Sequence, residues 1–152
     1  MASIEERVAQ LNYELAVYKE QIALIKRETE RIGLTTVDLT NALTTIENIK
    51  EEPKEKSVLV PIGGGAMIKS AISETKILVP IGAQYMAEMD RESAITEIEK
   101  RIEATKKAVE RLTEEFNKIT TKLHTTAVEM RQIQNEAELS ERVDSNIRED
   151  YI

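Results

Sequence analysis

One short motif occurs twice in the middle of the chain, as VLVPIG at residues 58–63 and as ILVPIG at residues 77–82. In each copy apolar residues alternate along an extended run that ends in glycine, which is typical of a strand entering a tight turn. Each copy therefore predicts a β-hairpin. An isolated hairpin is only marginally stable in water, and proline within a strand favours an edge position. We infer that the two hairpins pair with copies from other subunits.

The residues on either side of this repeat follow a different pattern, in which apolar side chains recur at alternating steps of four and three. This spacing is a heptad seam, typical of coiled-coil helices. The first seam runs from Ile4 to Ile46 and the second from Ile95 to Ala137, and threonines form their gaps. The sequence therefore predicts two long helices, the first from about Ser3, where a capping box with Glu6 begins it, to about residue 50.

The two seams match each other when the chain folds back through the hairpin region into an antiparallel coiled coil. In that register Ile4 lies opposite Ala137, and the two gaps Thr36 and Thr105 meet in one layer. A slip by one heptad would still pair most apolar positions, so the spacing alone leaves the register open. We expect four segments: an N-terminal helix over 1–52, a double hairpin over 53–89, a C-terminal helix over 90–139 and a mobile polar tail over 140–152.

Composition excludes several classes of protein. The 152 residues carry a formal net charge of -7, and aromatic residues make up only 3%. A protein that binds nucleic acid or an anionic membrane needs a basic surface, so we expect neither as a partner. Nor does the sequence contain a signal peptide pattern or an apolar run long enough to cross a bilayer. A chain without cysteine is compatible with the reducing cytoplasm, which is the compartment that we expect.

No catalytic constellation is found, and we expect neither an enzyme nor a bound cofactor or metal. The glycines at 63–65 precede Lys69, but Ile68 stands where a phosphate-binding loop needs glycine, so a tight turn is the better interpretation. The single histidine, His124, has no partner pattern for general-base chemistry.

The order of long helix, two VPIG-type hairpins and long helix resembles the α-class subunits of archaeal prefoldin, a family of molecular chaperones. The most specific stretches are VLVPIGGG at 58–65 and KILVPIGAQYMAE at 76–88. One departure is Ala83-Gln84, where many relatives carry glycine, and it leaves the type of the second turn open.

The resemblance implies a hexamer of two α and four β subunits, whose hairpins form an intersubunit β-barrel and whose coiled coils project from it as tentacles. It also implies that the assembly holds unfolded client proteins without ATP and delivers them to a group II chaperonin. The fold class is therefore mainly α with a small β part. A structural or tethering coiled coil without client-holding activity is the alternative.

Two sets of residues are candidates for these contacts. Clients would contact seam residues at the tentacle tip and apolar residues on the outer face of the first helix. These are Ile4, Val8, Leu11, Tyr13, Val17, Met130, Ile133 and Ala137. Apolar hairpin residues would form the oligomer: Val58, Val60, Ile62, Ile68, Ile77, Val79, Ile81 and Tyr85. Two further hypotheses are a flexible point around Thr29, Gly33, Thr36 and Thr105, and chaperonin docking by the polar tail.

Overall fold

The computed structural model of the chain describes residues 3–49, 57–72 and 76–149. Two long helices enclose two hairpins in the predicted order. The elements are α1 (Ile4–Asn48), β1 (Ser57–Gly63), β2 (Ala66–Ala71), β3 (Ile77–Gly82), β4 (Tyr85–Met89) and α2 (Arg91–Glu149). The predicted combination of two long helices with two small antiparallel hairpins is confirmed.

These residues divide into two units, which are described separately. The first contains residues 3–31 and 109–149, and the second contains residues 32–49, 57–72 and 76–108. Among the described residues, no helix combines the length and apolar character that a membrane span requires.

Both helices begin with a cap, and the cap of α1 is the capping box that its sequence predicts. The backbone amide of Ser3 donates to the Glu6 carboxylate at 2.9 Å, and the amide of Glu6 donates to the Ser3 hydroxyl at 3.2 Å. At the start of α2 the carboxylate of Asp90 accepts from the amide of Ser93 at 2.8 Å. Each cap satisfies amide groups that have no partner within the helix.

In the first unit, the two helices pack along the predicted seams. Leu11, Ile25, Ile119 and Met130 are buried there, together with the hydroxyl-bearing Thr126. Beside this seam Arg7 Nε donates to Glu129 Oε1 at 3.0 Å, which links the beginning of α1 to the later part of α2. The heptad pattern thus forms an antiparallel interface between the two helices of one chain.

In the second unit, a hydrogen bond fixes the register that spacing alone left open. The hydroxyls of Thr36 and Thr105 lie 3.0 Å apart, so the two gaps in the seams do meet in one layer. The Thr105 hydroxyl donates its proton to the carbonyl of Ile102 and accepts from Thr36, whose hydroxyl also lies 2.9 Å from the Ile32 carbonyl. The predicted register is confirmed at this layer.

Each hairpin has a two-residue turn and an irregularity just before it. Gly63 pairs with Ala66 and Gly82 pairs with Tyr85, and the register shifts between the proline and the glycine of each copy. Ala83 and Gln84 have φ values of 48° and 65°, as Gly64 and Gly65 have 58° and 78°. Positive φ at both central residues defines a type I′ turn, so the second turn has the same type as the first although it lacks glycine.

The C-terminal helix is longer than the sequence predicts. The polar tail was expected to begin at residue 140, whereas α2 continues to Glu149. The physical reason is that no glycine or proline lies between Leu139 and Glu149, so no residue interrupts the helix there. Leu139 and Val143 in this extension are exposed. The mobility of the segment stays a prediction.

Candidate functional site

The second hairpin, β3–β4, packs one of its faces onto the helices of its own chain. Cross-strand partners point to the same side, so Ile77, Val79, Ala87 and Met89 share this face. Val79 is only 1% exposed and belongs to a cluster with Ile46, Ala94 and Ile98, against which Ile77 and Met89 also pack. The helix ends therefore provide the apolar cover that an isolated hairpin lacks.

This packing corrects part of the predicted oligomerisation surface. Ile77 and Val79 were expected to contact other subunits, but they lie against helices of the same chain. The expectation rested on the low stability of an isolated hairpin, whereas the second hairpin is not isolated. It lies over the junction where α1 ends and α2 begins, and its Val79 packs against Ala94 and Ile98.

Two arginines hold this arrangement together. Arg91 donates from Nε to the carbonyl of Ile46 at 3.1 Å and from Nη2 to the carbonyl of Glu47 at 2.7 Å, which caps the C-terminal end of α1. Arg101 donates to the carbonyl of Pro80 at 2.5 Å while its Nε lies 2.9 Å from the Glu97 carboxylate. The second hairpin is thus bound to α2 by a hydrogen bond as well as by apolar contact.

The outer face of the second hairpin is exposed and apolar. Its members are Leu78, Pro80 and Met86, with the ion pair of Lys76 and Glu88 beside them. Ile81 and Tyr85, which sequence analysis assigned to the oligomer, are also exposed at its turn end. Sequence analysis missed Leu78 and Met86, because it assigned the contact face of this strand to the alternate residues Ile77, Val79 and Ile81.

The first hairpin, β1–β2, is exposed on both faces. One face carries Val60 and Ile68, which are cross-strand partners, and half-buried Val58 lies on the same side. The other face carries Leu59, Pro61, Met67 and Lys69. Ile62 next to the turn is exposed as well. The structure leaves four of the predicted oligomerisation residues in this hairpin, Val58, Val60, Ile62 and Ile68, without the intramolecular cover that Val79 has.

The predicted client residues lie at the end of the helix pair that carries the chain termini, and they differ in accessibility. Ile4 and Tyr13 are 63% and 71% exposed. Val8, Val17, Ile133 and Ala137 are half-buried, whereas Leu11 and Met130 are buried in the seam. A client could reach Ile4 and Tyr13 directly but could reach Leu11 and Met130 only after the helices separate locally.

Other exposed apolar side chains accompany them. Leu24 and Val128 lie on the outer sides of the helices of the first unit, and Leu139 and Val143 are exposed near the end of α2. Leu34 and Val37 are exposed on α1 in the second unit, and sequence analysis missed both. Both are apolar residues at positions outside the heptad seam, and this combination could have identified them from the sequence.

An open groove lies between the helices of the first unit. It has a volume of about 410 Å³ and is lined by Ile25, Lys26, Thr29, Glu30, Leu112, Thr113 and Phe116. Thr29 is a gap in the seam, and its hydroxyl donates to the Ile25 carbonyl at 2.8 Å. The amine of Lys26 lies 5.9 Å from the centre of the Phe116 ring, within the range of a cation–π contact.

The ionisable groups take part in pairs and caps. The hydrogen bond to Glu129 raises the pKa of Arg7, and the hydrogen bond from Arg31 lowers the pKa of Glu28. Hydrogen bonding from the backbone amide of Ser93 lowers the pKa of Asp90. Within residues 3–49, 57–72 and 76–149, no group of three or more histidine or acidic side chains is placed to hold a metal ion. These charges therefore stabilise helices and their pairing.

Comparisons with known proteins agree with this geometry. The family model for Prefoldin, described as prefoldin subunit, matches residues 18–136. The prefoldin subunit alpha of Methanococcus aeolicus is 30% identical over 69% of this chain and 72% of its own length. The corresponding subunit of Pyrococcus horikoshii is 29% identical over 73% of this chain and 76% of its own length.

Solved structures show the same architecture. A cryo-EM structure of filamentous PFD from Methanocaldococcus jannaschii aligns with a TM-score of 0.68 at 26% identity, covering 78% of this chain and 98% of that chain. The crystal structure of the prefoldin beta subunit from Thermococcus strain KS-1 shares the fold, with a TM-score of 0.58 at 17% identity, and covers 87% of this chain and 96% of that one. With a family model that covers both hairpins and most of both helices, and with α-subunit relatives over most of its length, the chain belongs to the prefoldin family.

Proposed function

We propose that this chain is the α-class subunit of an ATP-independent chaperone that captures unfolded proteins with the terminal end of its helix pair. In this proposal its hairpins join it to β-class prefoldin subunits, two α with four β, in the cytoplasm. The assembly then delivers its clients to a group II chaperonin. Membership in the prefoldin family supports a chaperone-type function.

The observation that carries the proposal is the group of exposed apolar side chains at the end of the helix pair. A two-stranded coiled coil buries most of its seam, so its surface offers an unfolded chain apolar contact outside the seam and at the end of the seam. Ile4, Tyr13 and Leu139 are each more than 60% exposed. Such contacts are individually weak, and several ends in one assembly would raise the effective concentration of each for a bound client.

Buried Leu11 and Met130 have a second role in the proposal. Terminal turns of a helix pair open more readily than central ones, and methionine adapts its shape to irregular partners. When the end of the pair opens, these two side chains add to the surface that a client can contact. The half-buried seam residues Val8, Ile133 and Ala137 become more accessible in the same step, while Val17 is half-buried outside the seam.

The test is aggregation of a chemically denatured protein, followed by light scattering without ATP, with the chain mixed with a β-class subunit. A variant with Ile4→Ser, Tyr13→Ser and Leu139→Ser should lose most of the suppression that the wild-type assembly gives. Leu34→Ser with Val37→Ser is the matched control, because it removes exposed apolar side chains from α1 of the second unit. The control should suppress aggregation as well as wild type.

Light scattering after size exclusion must give the same mass for the assemblies formed with the wild-type chain, the terminal variant and the control. Equal suppression by the terminal variant and the control would reject capture at the terminal end. A stable assembly of wild-type chains that gave no suppression at all would favour the alternative, a tethering coiled-coil oligomer in which the hairpins serve assembly only.

A further inference from the structure

An ion pair joins the two helices near the end that carries the chain termini. Two nitrogens of the Arg7 guanidinium, Nε and Nη2, donate to the same carboxylate oxygen of Glu129, and the Nε contact is 3.0 Å. The third nitrogen, Nη1, donates to Gln10 Oε1 at 3.2 Å, and Gln10 Nε2 donates to Glu14 Oε1 at 3.1 Å. Side chains of α1 thus hold the guanidinium in the orientation in which it reaches α2.

This ion pair is less exposed than the pair of Lys107 and Glu103, which lies within α2. The side chains of Arg7 and Glu129 are 39% and 40% exposed, whereas those of Lys107 and Glu103 are 63% and 58% exposed. Partly buried charges are screened less by water and salt than exposed ones. The contact between the helices is therefore the stronger of the two ion pairs.

Both members of the ion pair lie beside the seam that a client would have to reach. Met130 directly follows Glu129 and is 8% exposed, and Leu11, one helical turn after Arg7, is fully buried. Half-buried Val8 directly follows Arg7. Because Arg7 and Glu129 belong to different helices, the helices cannot separate at these layers without breaking the ion pair.

We propose that the Arg7–Glu129 ion pair is an autoinhibitory contact, which keeps the end of the helix pair closed over Leu11 and Met130. A surface that only a minor open state offers is bound more weakly, in proportion to the population of that state. Loss of the ion pair raises the population of the open state, and the apparent affinity for an unfolded chain rises with it. This inference rests on the proposed function and adds a means of regulating it.

Hydrogen exchange of the full chain, followed by mass spectrometry, measures the opening. Arg7→Gln and Glu129→Gln each remove one partner without adding apolar surface, and they change the net charge in opposite directions. Amides around Leu11 and Met130 should exchange about two- to fivefold faster in either variant than in wild type, the factor expected for one ion pair. The double variant should be no faster than the single ones, because the same ion pair is lost in all three.

Lys107→Gln is the matched control. It removes an ion pair within one helix and changes the net charge by the same amount as Arg7→Gln does. Exchange around Leu11 and Met130 should be the same in this control as in wild type. Equal exchange in the control and in all the Arg7 and Glu129 variants would overturn the inference.

Binding of an unfolded probe measures the consequence for capture, with the chain assembled with a β-class subunit. The probe is fluorescently labelled α-lactalbumin, reduced and alkylated so that it cannot refold, and its anisotropy reports binding. Both single variants should bind it up to about fivefold more tightly than wild type, and the control should bind it as wild type does. Tighter binding by one single variant and weaker binding by the other would assign the effect to net charge and overturn the inference.

Failure of the proposed function gives a different result. If neither the wild-type assembly nor any variant bound the probe, the proposed function would be rejected together with its regulation. If the wild-type assembly bound the probe and the variants exchanged faster but bound no more tightly, the autoinhibitory role alone would be rejected.

Discussion

The guanidinium of Arg91 shows how one side chain at the start of α2 completes the end of α1. The last turn of α1 contains no basic residue, and its final carbonyls have no partner within the helix. Arg91 donates to two carbonyls there, those of Ile46 and Glu47, and so ties the two helix ends on either side of the hairpins together.

Replacing Arg91 by methionine, which keeps the length and removes the donors, should lower the free energy of unfolding by about 1.5–3 kcal/mol, the range for hydrogen bonds from a charged donor. Urea unfolding followed by circular dichroism measures the change. Lys100→Met is the control, because Lys100 is exposed on α2. If both variants lost equal stability, the cap would have no measurable role.

The turn at Ala83-Gln84 carries backbone strain that its counterpart at Gly64-Gly65 avoids. Side chains with a Cβ atom disfavour positive φ by about 1–2 kcal/mol, and glycine has no such cost. Ala83→Gly should therefore raise the free energy of unfolding by up to about 1 kcal/mol after glycine's own entropy is deducted. Ala66→Gly, in a strand where φ is negative, should not stabilise the protein. Thermal unfolding of the two variants compares these effects directly.

Asp90 makes the start of α2 sensitive to acid. Its pKa is lowered in the folded protein because the Ser93 amide donates to it, so its contribution to stability is present above the unfolded pKa and is lost as pH falls through the folded value. We expect Asp90→Ala to be less stable than wild type at neutral pH and the gap to close below about pH 4.

Asp90→Asn retains an N-cap without a titrating group and serves as the control for this pH dependence. Its stability relative to Asp90→Ala should stay nearly constant across the same range in a urea titration. A gap between wild type and Asp90→Ala that persisted unchanged to pH 2 would contradict the role of the carboxylate.

At the scale of elements, the two hairpins provide a matched pair of sites. Val60 and Val79 occupy the same position of the repeat, but only Val79 lies in the apolar cluster of the helix ends. Val79→Ala should cost about 2 kcal/mol through lost burial and the cavity left behind, whereas Val60→Ala should change the stability of the single chain by less than about 0.5 kcal/mol. Urea unfolding at concentrations where the chain is monomeric makes the comparison; equal losses would contradict the different packing of the two hairpins.

The sequence predicts these elements well because their patterns have different periods. Heptad spacing identifies both helices and alternation identifies both hairpins, and the Thr36–Thr105 layer appears in the register that the two seams share. Alternation alone does not reveal which face is covered. Both faces of each hairpin are apolar. In the first hairpin, for example, one face carries Val58 and Val60 and the other carries Leu59 and Met67. Which face is covered therefore depends on which helix ends lie next to the hairpin.

At the scale of the whole molecule, apolar side chains do not fill every layer of the seam between α1 and α2. Thr29 lies beside the open groove between Ile25 and Phe116, where an apolar seam residue would contact α2. Thr29→Leu should raise the free energy of unfolding by about 1 kcal/mol by burying apolar surface there. It should also slow hydrogen exchange of the neighbouring amides. Thr121→Leu is the control, since Thr121 also donates to the carbonyl four residues earlier but is exposed.

The same experiment examines flexibility in the middle of the helix pair. Amides near Thr29, Gly33 and Thr105 should exchange faster in the wild-type chain than those in the flanking turns of the same helices. Exchange as slow there as in the flanking turns would contradict a flexible point. The sequence locates these gaps, but it does not show the groove, because the space beside Thr29 depends on how Leu112 and Phe116 pack across from it.

The chain order has a consequence for synthesis on the ribosome. All of α1 and both hairpins precede α2, so the first seam is complete before any residue that can cover it has been made. The apolar side chains from Ile4 to Ile46 then stand exposed on a nascent chain, as those of an unfolded protein do. Until its second helix emerges, this subunit presents to other chaperones the kind of surface that it is proposed to recognise in its own clients.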